Sequence, residues 1–474
     1  MDNNLEQHQK PKKMEVIVLP YHGQGHVNTM LQFAKRLAWK SNGLIHITLL
    51  ITSHNMNKLS ISGTKMDEFI STEIIYDNTH DTQLDFMTQM KNFETQATHN
   101  LTRIFSSSAT PSLLVYDANL PWALDIAKKY GIMTAAFFTQ AGAYVASFYP
   151  MFLEEYKDDV DHPVIAAANQ NRLDNLSVKM LTMEELIRGI TPIPDSGTGN
   201  KLFPPFIRML LSHMKNIHLA DWVLFNSFDH LEDEVFRWMS NIWPVKTIGP
   251  TIPSAYLDKR VEYDIDYGFN QYKVNNESFM NWLNAQQVAS VVYVSFGSAA
   301  RLSIKQIVEI AEALKQIPNK FLWIVRETEQ NKLPNGFIGE TSDKGLVLSW
   351  CPQLDVLAHE AIGCFITHCG WNSTIEALSF GVPMLTMSQF LDQIVDAQYV
   401  DQVWGVGIKP KEKENSLVTQ DEIKQCLEKI MNGQRAGKIK ENAKKWKALA
   451  IEAVDAGGSS DKNIDEIIGR LASL

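Results

Sequence analysis

WCPQLDVLAHEAIGCFITHCGWNSTIEALSFGVPMLTMSQFLDQ runs from Trp350 to Gln393, and it sets strand, loop and helix in the order that decides the architecture. Cys364 to Thr367 reads as the end of a buried strand, and HCGWNS follows it. A glycine there lets the backbone approach a ligand closely, and Asn372-Ser373-Thr374 can open a helix. Free N–H groups and the positive end of that helix would face an anion, with His368 and the Ser373 hydroxyl adding donors. Taken alone, HCGWNS reads equally as an ordinary strand-to-helix turn whose Asn and Ser cap the helix. The flanks add chemistry. Trp350 offers a flat ring for a base, Glu376 offers acceptors for two ribose hydroxyls, and Asp392-Gln393 offers both acceptors and donors for sugar hydroxyls. Together these spell base, ribose, diphosphate and sugar.

Outward from this stretch the chain repeats one grammar, a short apolar strand, a loop and an amphipathic helix, which is how parallel sheets covered by helices are written. Val16 to Leu19 is strand-like. Val27, Met30, Leu31, Ala34, Leu37 and Ala38 then mark one stripe of a helix. His46–Ile51, Leu113–Tyr116 and Met133–Phe138 continue as strands, with a helix over Pro121–Tyr130. In the second half Val291–Phe296, Phe321–Val325, Leu346–Ser349 and Met384–Thr386 are strand candidates, and Ile304–Lys315 a helix. The expected fold is α/β, two doubly wound Rossmann-like domains facing each other across a cleft, with ligands beyond the carboxyl ends of the strands. The expected boundaries are a disordered tail at 1–13, a first domain at 14–250, an interdomain linker at 251–275, a second domain at 276–455 and a final helix at 456–474.

A chain of 474 residues, 45% apolar and 21% charged, is long enough for two cores and has the balance of a globular enzyme. A net charge of −10 argues against nucleic acid or anionic lipid as partner, since either needs a clustered basic face. No run approaches the roughly 18 apolar residues of a membrane span, and the polar start lacks a signal peptide's apolar segment. Cys351, Cys364, Cys369 and Cys426 match no zinc or redox spacing and read as reduced thiols of a cytosolic protein.

Transfer of a group to an acceptor hydroxyl needs a base, and His26 is the leading candidate, after the first strand in YHGQGHVN. A histidine base needs a partner on its other ring nitrogen, and Asp117, ending the strand Leu113–Tyr116, suits that place. His22 and His26 are four apart, but Gly23 and Gly25 argue against a helix there and no third ligand is near, so no metal is expected.

The Trp350–Gln393 segment, 44 residues long, resembles the donor-binding signature box of the plant family 1 UDP-glycosyltransferases. The early GQGH, the SFGS strand end and the final GGSSDKNIDEIIGRL resemble the same family. The resemblance implies the two-domain GT-B fold and inverting, metal-independent transfer of glucose from UDP-glucose, with no permanently bound cofactor. It implies that Trp350 stacks on uracil, Cys351 and Gln353 contact the nucleoside, and Glu376 holds the ribose. Ser298, His368, Asn372 and Ser373 would take the phosphates; Trp371, Asp392 and Gln393 would contact the sugar, with the final Gln favouring glucose. His26 and Asp117 stand where relatives carry the catalytic base and its partner. Departures stand at His22, Thr29 and Met387–Leu391.

The acceptor pocket is expected in the first domain, lined by His22, Phe86, Met87, Phe138, Gln140, Ile190 and Phe203, with Phe390 beside the sugar. The acceptor is expected to be a small lipophilic plant metabolite, terpenoid, steroid or phenolic, glycosylated on a hydroxyl or carboxyl group by a cytoplasmic monomer. Three rivals remain. Asp264-Ile265-Asp266 offers a DxD-like pair for a metal-dependent transferase; a nicotinamide dehydrogenase lacks its third glycine in GQGHVN; and a non-catalytic nucleotide-sugar or small-molecule sensor could use the same cleft.

Overall fold

A computed structural model describes residues 13–59, 68–76, 86–108, 110–159, 161–166, 185–186, 205–269, 277–298, 300–413 and 416–474. Residues 1–12 of the expected tail, 270–275 of the expected linker, and the acceptor candidates Ile190 and Phe203 lie outside them. Phe86 and Met87 are described only as the first residues of the helix Phe86–Phe105.

Thirteen strands among the described residues form two parallel sheets. The first holds β1 (Met14–Leu19), β2 (Ile45–Thr52), β3 (Ile70–Ile75), β4 (Leu113–Asp117), β5 (Met133–Phe138), β6 (Trp222–Phe225) and β7 (Val245–Thr247), in the order β3-β2-β1-β4-β5-β6-β7. The second holds β8 (Val291–Ser295), β9 (Lys320–Ile324), β10 (Gly345–Leu348), β11 (Ile362–Thr367), β12 (Met384–Thr386) and β13 (Gly407–Ile408), in the order β10-β9-β8-β11-β12-β13. The doubly wound reading holds for both sheets. Their central strands are apolar because helices cover both faces: Val16 to Leu19, Leu113 to Val115 and Val291 to Val294 are all 0–1% exposed, while edge strands such as β3, with Ser71, Thr72 and Glu73, carry polar residues.

Strand order reverses between β1 and β4 and again between β8 and β11. Loops leaving the two strands at such a point diverge and open a crevice at the carboxyl ends. β1 there runs toward His26 and β4 ends on Asp117; β8 runs into the Gly297 turn and β11 into His368.

Helix α1 (Gln24–Lys40) follows β1 and buries Val27, Met30, Leu31, Ala34, Leu37 and Ala38 at 0–1% exposure, the stripe its sequence marks. Its other side is covered too, which explains its buried cations. Lys35 pairs with Asp264 at 3.1 Å, Arg36 with Asp258 at 2.5 Å, and Lys40 with Asp461 at 2.5 Å. The segment 249–269 is therefore packed chain without long periodic elements. Helix α2 (Trp371–Phe380), helix α3 (Asp392–Gln398) and helix α4 (Ser459–Ala472) complete what the site needs. α4 returns to the first sheet, where Ile464, Ile467 and Leu471 join the cluster of Leu37, Ile45 and Trp222. Ser460 Oγ donates to Gly249 O at 2.5 Å and Asn463 Nδ2 to Thr247 O at 2.8 Å.

All four cysteines are unpaired and buried. No helix among the described residues is long and apolar enough to cross a membrane.

Candidate active site

A cavity of about 970 Å³ lies between the two sheets, at the upper end of the range for ligand sites. The first sheet contributes His26 and Gln140 to its wall, the second Ser298, Trp350, Cys351, Gln353, His368, Asn372, Ser373, Glu376, Asp392 and Gln393, and Phe390 lies near the last pair. Residues separated by more than 300 positions thus share one space.

His26 stands in the first turn of α1, and its Nδ1 lies 2.6 Å from Asp117 Oδ2 and 3.0 Å from Thr139 Oγ1. Asp117 is 1% exposed and also accepts from the Asn119 amide at 3.0 Å. A carboxylate on Nδ1 assigns the proton to that nitrogen and leaves Nε2 as the basic atom. Burial would lower the His26 pKa, but the charge and hydrogen bond of Asp117, with the Asp392 charge, outweigh it and raise the pKa above the ordinary 6.5. His26 of the first domain thus feels the Asp392 carboxylate of the second.

α2 begins at Trp371, one residue before the Asn-Ser-Thr run, because Gly370 in extended conformation (φ −61°, ψ 146°) serves as its N-cap. No side chain caps it, so its first-turn amides turn toward the cavity. Asn372 and Ser373 fall inside the first turn, and their side chains reach elsewhere. Asn372 Nδ2 donates to Gly25 O at 2.9 Å, and its Oδ1 lies 3.2 Å from the Thr29 hydroxyl, which also reaches Gly25 O at 2.6 Å. The donor helix is in this way tied to the loop bearing the base. Gly25 permits the approach, since a Cβ there would sit 2.6 Å from Asn372 Nδ2.

His368 is pushed down to about 4 by burial and by the Arg326 charge, against a hydrogen bond with the Ser295 backbone that raises it, so it is a neutral ring at physiological pH. Gly297 holds φ 65°, and a Cβ there would lie 2.8 Å from His368 Cε1. Arg326, two residues past β9 and beside the cavity, donates to the carbonyls of Ser298 and Ala300. It fixes the Ser298 loop and brings the cation that the sequence reading overlooked.

Glu376 is 5% exposed and receives Tyr267 Oη at 2.7 Å on Oε1 and Gln353 Nε2 at 2.7 Å on Oε2. Gln353 Nε2 also donates to Ser373 Oγ at 2.9 Å. Burial raises the Glu376 pKa to about 7 although both hydrogen bonds lower it. Asp392 is raised to about 6 by burial, opposed by the Trp371 amide and the His26 charge. It follows Leu391, whose φ of 57° and ψ of −132° are costly for a bulky residue and mark strain beside the sugar end.

Several expected residues sit elsewhere. The Trp371 indole is core, 2% exposed, with Nε1 donating to Asn226 O at 2.7 Å, so its amide toward Asp392 is what it offers the site. His22 packs on Phe93 at 5.7 Å and borders a small apolar pocket with Leu50 and Ile51, outside the main cavity. Phe138 is 4% exposed and stacks on Phe225 at 4.8 Å. Asp264 is held by Lys35, Gln32 and the Ser254 amide, so Asp264 and Asp266 do not form a metal-binding pair; among the described residues no three His, Cys, Asp or Glu side chains cluster as a metal site. Thr139, Tyr256, Tyr267 and Arg326 line the cavity without having been expected. Only Arg326 had a legible signal, its place just past a strand's carboxyl end.

Comparison with known proteins agrees with this geometry. Residues 11–450 match the family model described as UDP-glucoronosyl and UDP-glucosyl transferase. The chain is 49% identical to UDP-glucosyl transferase 74CD1 of Saponaria officinalis over 98% of this chain and 99% of that one. It is 39% identical to mogroside I-E synthase of Siraitia grosvenorii, over 96% and 98%. Among solved structures it is similar to Os79 from O. sativa in complex with UDP, with a TM-score of 0.82, 31% identity and coverage of 96% of this chain and 100% of that one.

Proposed function

The chain belongs to the UDP-glucoronosyl and UDP-glucosyl transferase family, and from that membership we propose that it transfers glucose, with inversion, from UDP-glucose to a hydroxyl or carboxyl group of a small lipophilic plant metabolite. It is a glycosyltransferase of GT-B fold; the sugar, the acceptor class and the stereochemistry are our reading. The observation that carries it is the His26–Asp117 contact of 2.6 Å opening onto the cavity that also holds Glu376, His368 and Asp392.

In this reading the first domain, 14–250, takes the acceptor, the second, 276–455, takes the donor, and 251–275 joins them. His26 Nε2 removes the acceptor proton while the acceptor oxygen attacks the anomeric carbon. Asp117 stabilises the imidazolium that forms. UDP departs from the opposite face, its growing charge meeting the first-turn amides of α2, His368 and the Ser298 loop held by Arg326. Trp350 takes the uracil, Glu376 the ribose, and Asp392 with Gln393 the sugar hydroxyls. No step draws on a metal.

Support for a lipophilic acceptor comes from relatives: one is named mogroside I-E synthase, and Os79 has been solved with a trichothecene. Gln140 and Phe390 give the cavity one polar and one aromatic contact near the reacting centre. The test is UDP release from UDP-glucose with a panel of terpenoid, steroid and phenolic acceptors in the presence of a chelator. Wild type should turn over and give β-glucosides, while His26→Ala should lose about 100- to 10,000-fold on alcohol acceptors. Chelator-abolished turnover, or a His26→Ala rate within about threefold of wild type, overturns the reading.

A further inference from the structure

Part of the cavity wall comes from the chain joining the two sheets, through Tyr256, Ile265, Asp266 and Tyr267. Tyr267 is the member that touches the binding machinery. Its hydroxyl donates to Glu376 Oε1 at 2.7 Å, while Gln353, itself held by the Tyr293 hydroxyl at 3.3 Å, donates to Oε2 at 2.7 Å. An ionised carboxylate has about four lone-pair positions. One donor on each oxygen leaves one position per oxygen, which is the demand of a vicinal diol.

We propose that Tyr267 is a positioning residue of the donor site, whose hydroxyl holds Glu376 in the ionised, acceptor-only form and the orientation that a ribose diol requires. The inference rests on the reading that Glu376 receives the ribose of the donor.

The electrostatics give the contact its purpose. Burial lifts Glu376 to about 7, and the hydrogen bonds of Gln353 and Tyr267 are what pull it down that far. Without the Tyr267 donor the carboxyl would be protonated over more of the physiological range, turning one acceptor oxygen into a donor that a hydroxyl pair cannot use fully. Tyr267 stays protonated, since burial and the Glu376 charge push its pKa well above 10. The other groups around the site are the Tyr256 and Tyr293 hydroxyls, the Cys351 thiol, and the carboxyls of Asp264, Asp266 and Asp355. Tyr293 is pushed well above 10 and Cys351 up to about 12, burial first in both; Tyr256 is likewise raised, by burial and then by its hydrogen bond to Asp355. Asp264 is paired with Lys35. Glu376 is thus the group at the ribose end whose protonation bears on donor recognition near neutrality; Asp392, raised to about 6, and His26, raised above 6.5, face the same cavity from its sugar end.

The experiment compares wild type, Tyr267→Phe and Glu376→Gln in donor kinetics at saturating acceptor and in UDP affinity by calorimetry, between pH 5.5 and 9. Tyr267→Phe should raise the KM for UDP-glucose about tenfold at pH 7, the loss of one hydrogen bond to a charged group, with kcat within about twofold. Its acid limb of donor kcat/KM should move to higher pH, so that the penalty shrinks toward pH 9. Glu376→Gln should weaken UDP binding and remove the acid limb of UDP affinity, leaving the His26 limb of kcat/KM in place. Weak UDP binding in Glu376→Gln with an unmoved KM and limb in Tyr267→Phe overturns the role of Tyr267. Unchanged UDP affinity in Glu376→Gln overturns the ribose reading itself. Should Tyr267→Phe not fold, the wild-type protein still decides: an acid limb of UDP affinity that persists unchanged in Glu376→Gln refutes the assignment.

Discussion

At the scale of the residue, the surroundings of His26 set where on the pH scale it can act. A base must be neutral to take a proton, and the His26 pKa lies above 6.5 because the charge of Asp117 overcomes burial. Activity should rise with pH through that raised value. Asp117→Asn removes the charge and leaves burial to dominate, so the acid limb of kcat should move to lower pH while kcat itself falls at least about 100-fold. A pH profile of the two proteins, taken on an alcohol acceptor, checks both parts. His26 and Asp117 were legible because each follows a strand end, where parallel sheets place their chemistry. Thr139, which shares Nδ1 at 3.0 Å, was not legible, since a threonine after β5 carries no pattern. Trp371 shows what a motif leaves open: the residue lines the cavity, but its indole is buried core and its amide is what points to Asp392.

At the scale of the element, α2 is both an anion-facing helix end and a strut. Asn372 spends its amide on Gly25 and Thr29, so donor helix and base loop are held in register across the cleft. Thr29→Val keeps the volume and deletes the hydroxyl that bridges Gly25 and Asn372. One hydrogen bond of this kind contributes about 1 kcal/mol, and we expect donor kcat/KM to fall about fivefold with the pH profile unmoved, and Thr29→Ser to recover most of it. The candidates of the Trp350–Gln393 segment could be grouped because they fall within 44 residues; the chain after β10, α2 and α3 bring them to one cavity. Tyr267 was hidden because it reaches the same cavity from the chain joining the two sheets, far away in sequence. Neither the helix nor the strand period records which remote loop will close a wall.

At the scale of the whole molecule, the alternation of strand and helix announced two doubly wound sheets, since buried parallel strands must be apolar on both faces. What binds the sheets together was less legible. The charges of α1 that pair with Asp258, Asp264 and Asp461 read in sequence as an ordinary solvated face. α4 contributes Ile467, fully buried in the core of the first sheet. Ile467→Ala should cost about 2–5 kcal/mol and lower the thermal midpoint, measurable by calorimetry, although the residue is remote from the cavity. The return of α4 also has a temporal meaning. A ribosome delivers the first sheet about two hundred residues before the helix that seals it, so the nascent first domain must wait with an apolar groove open until α4 emerges. Chaperone capture during translation should therefore fall on that groove, and release should coincide with emergence of α4.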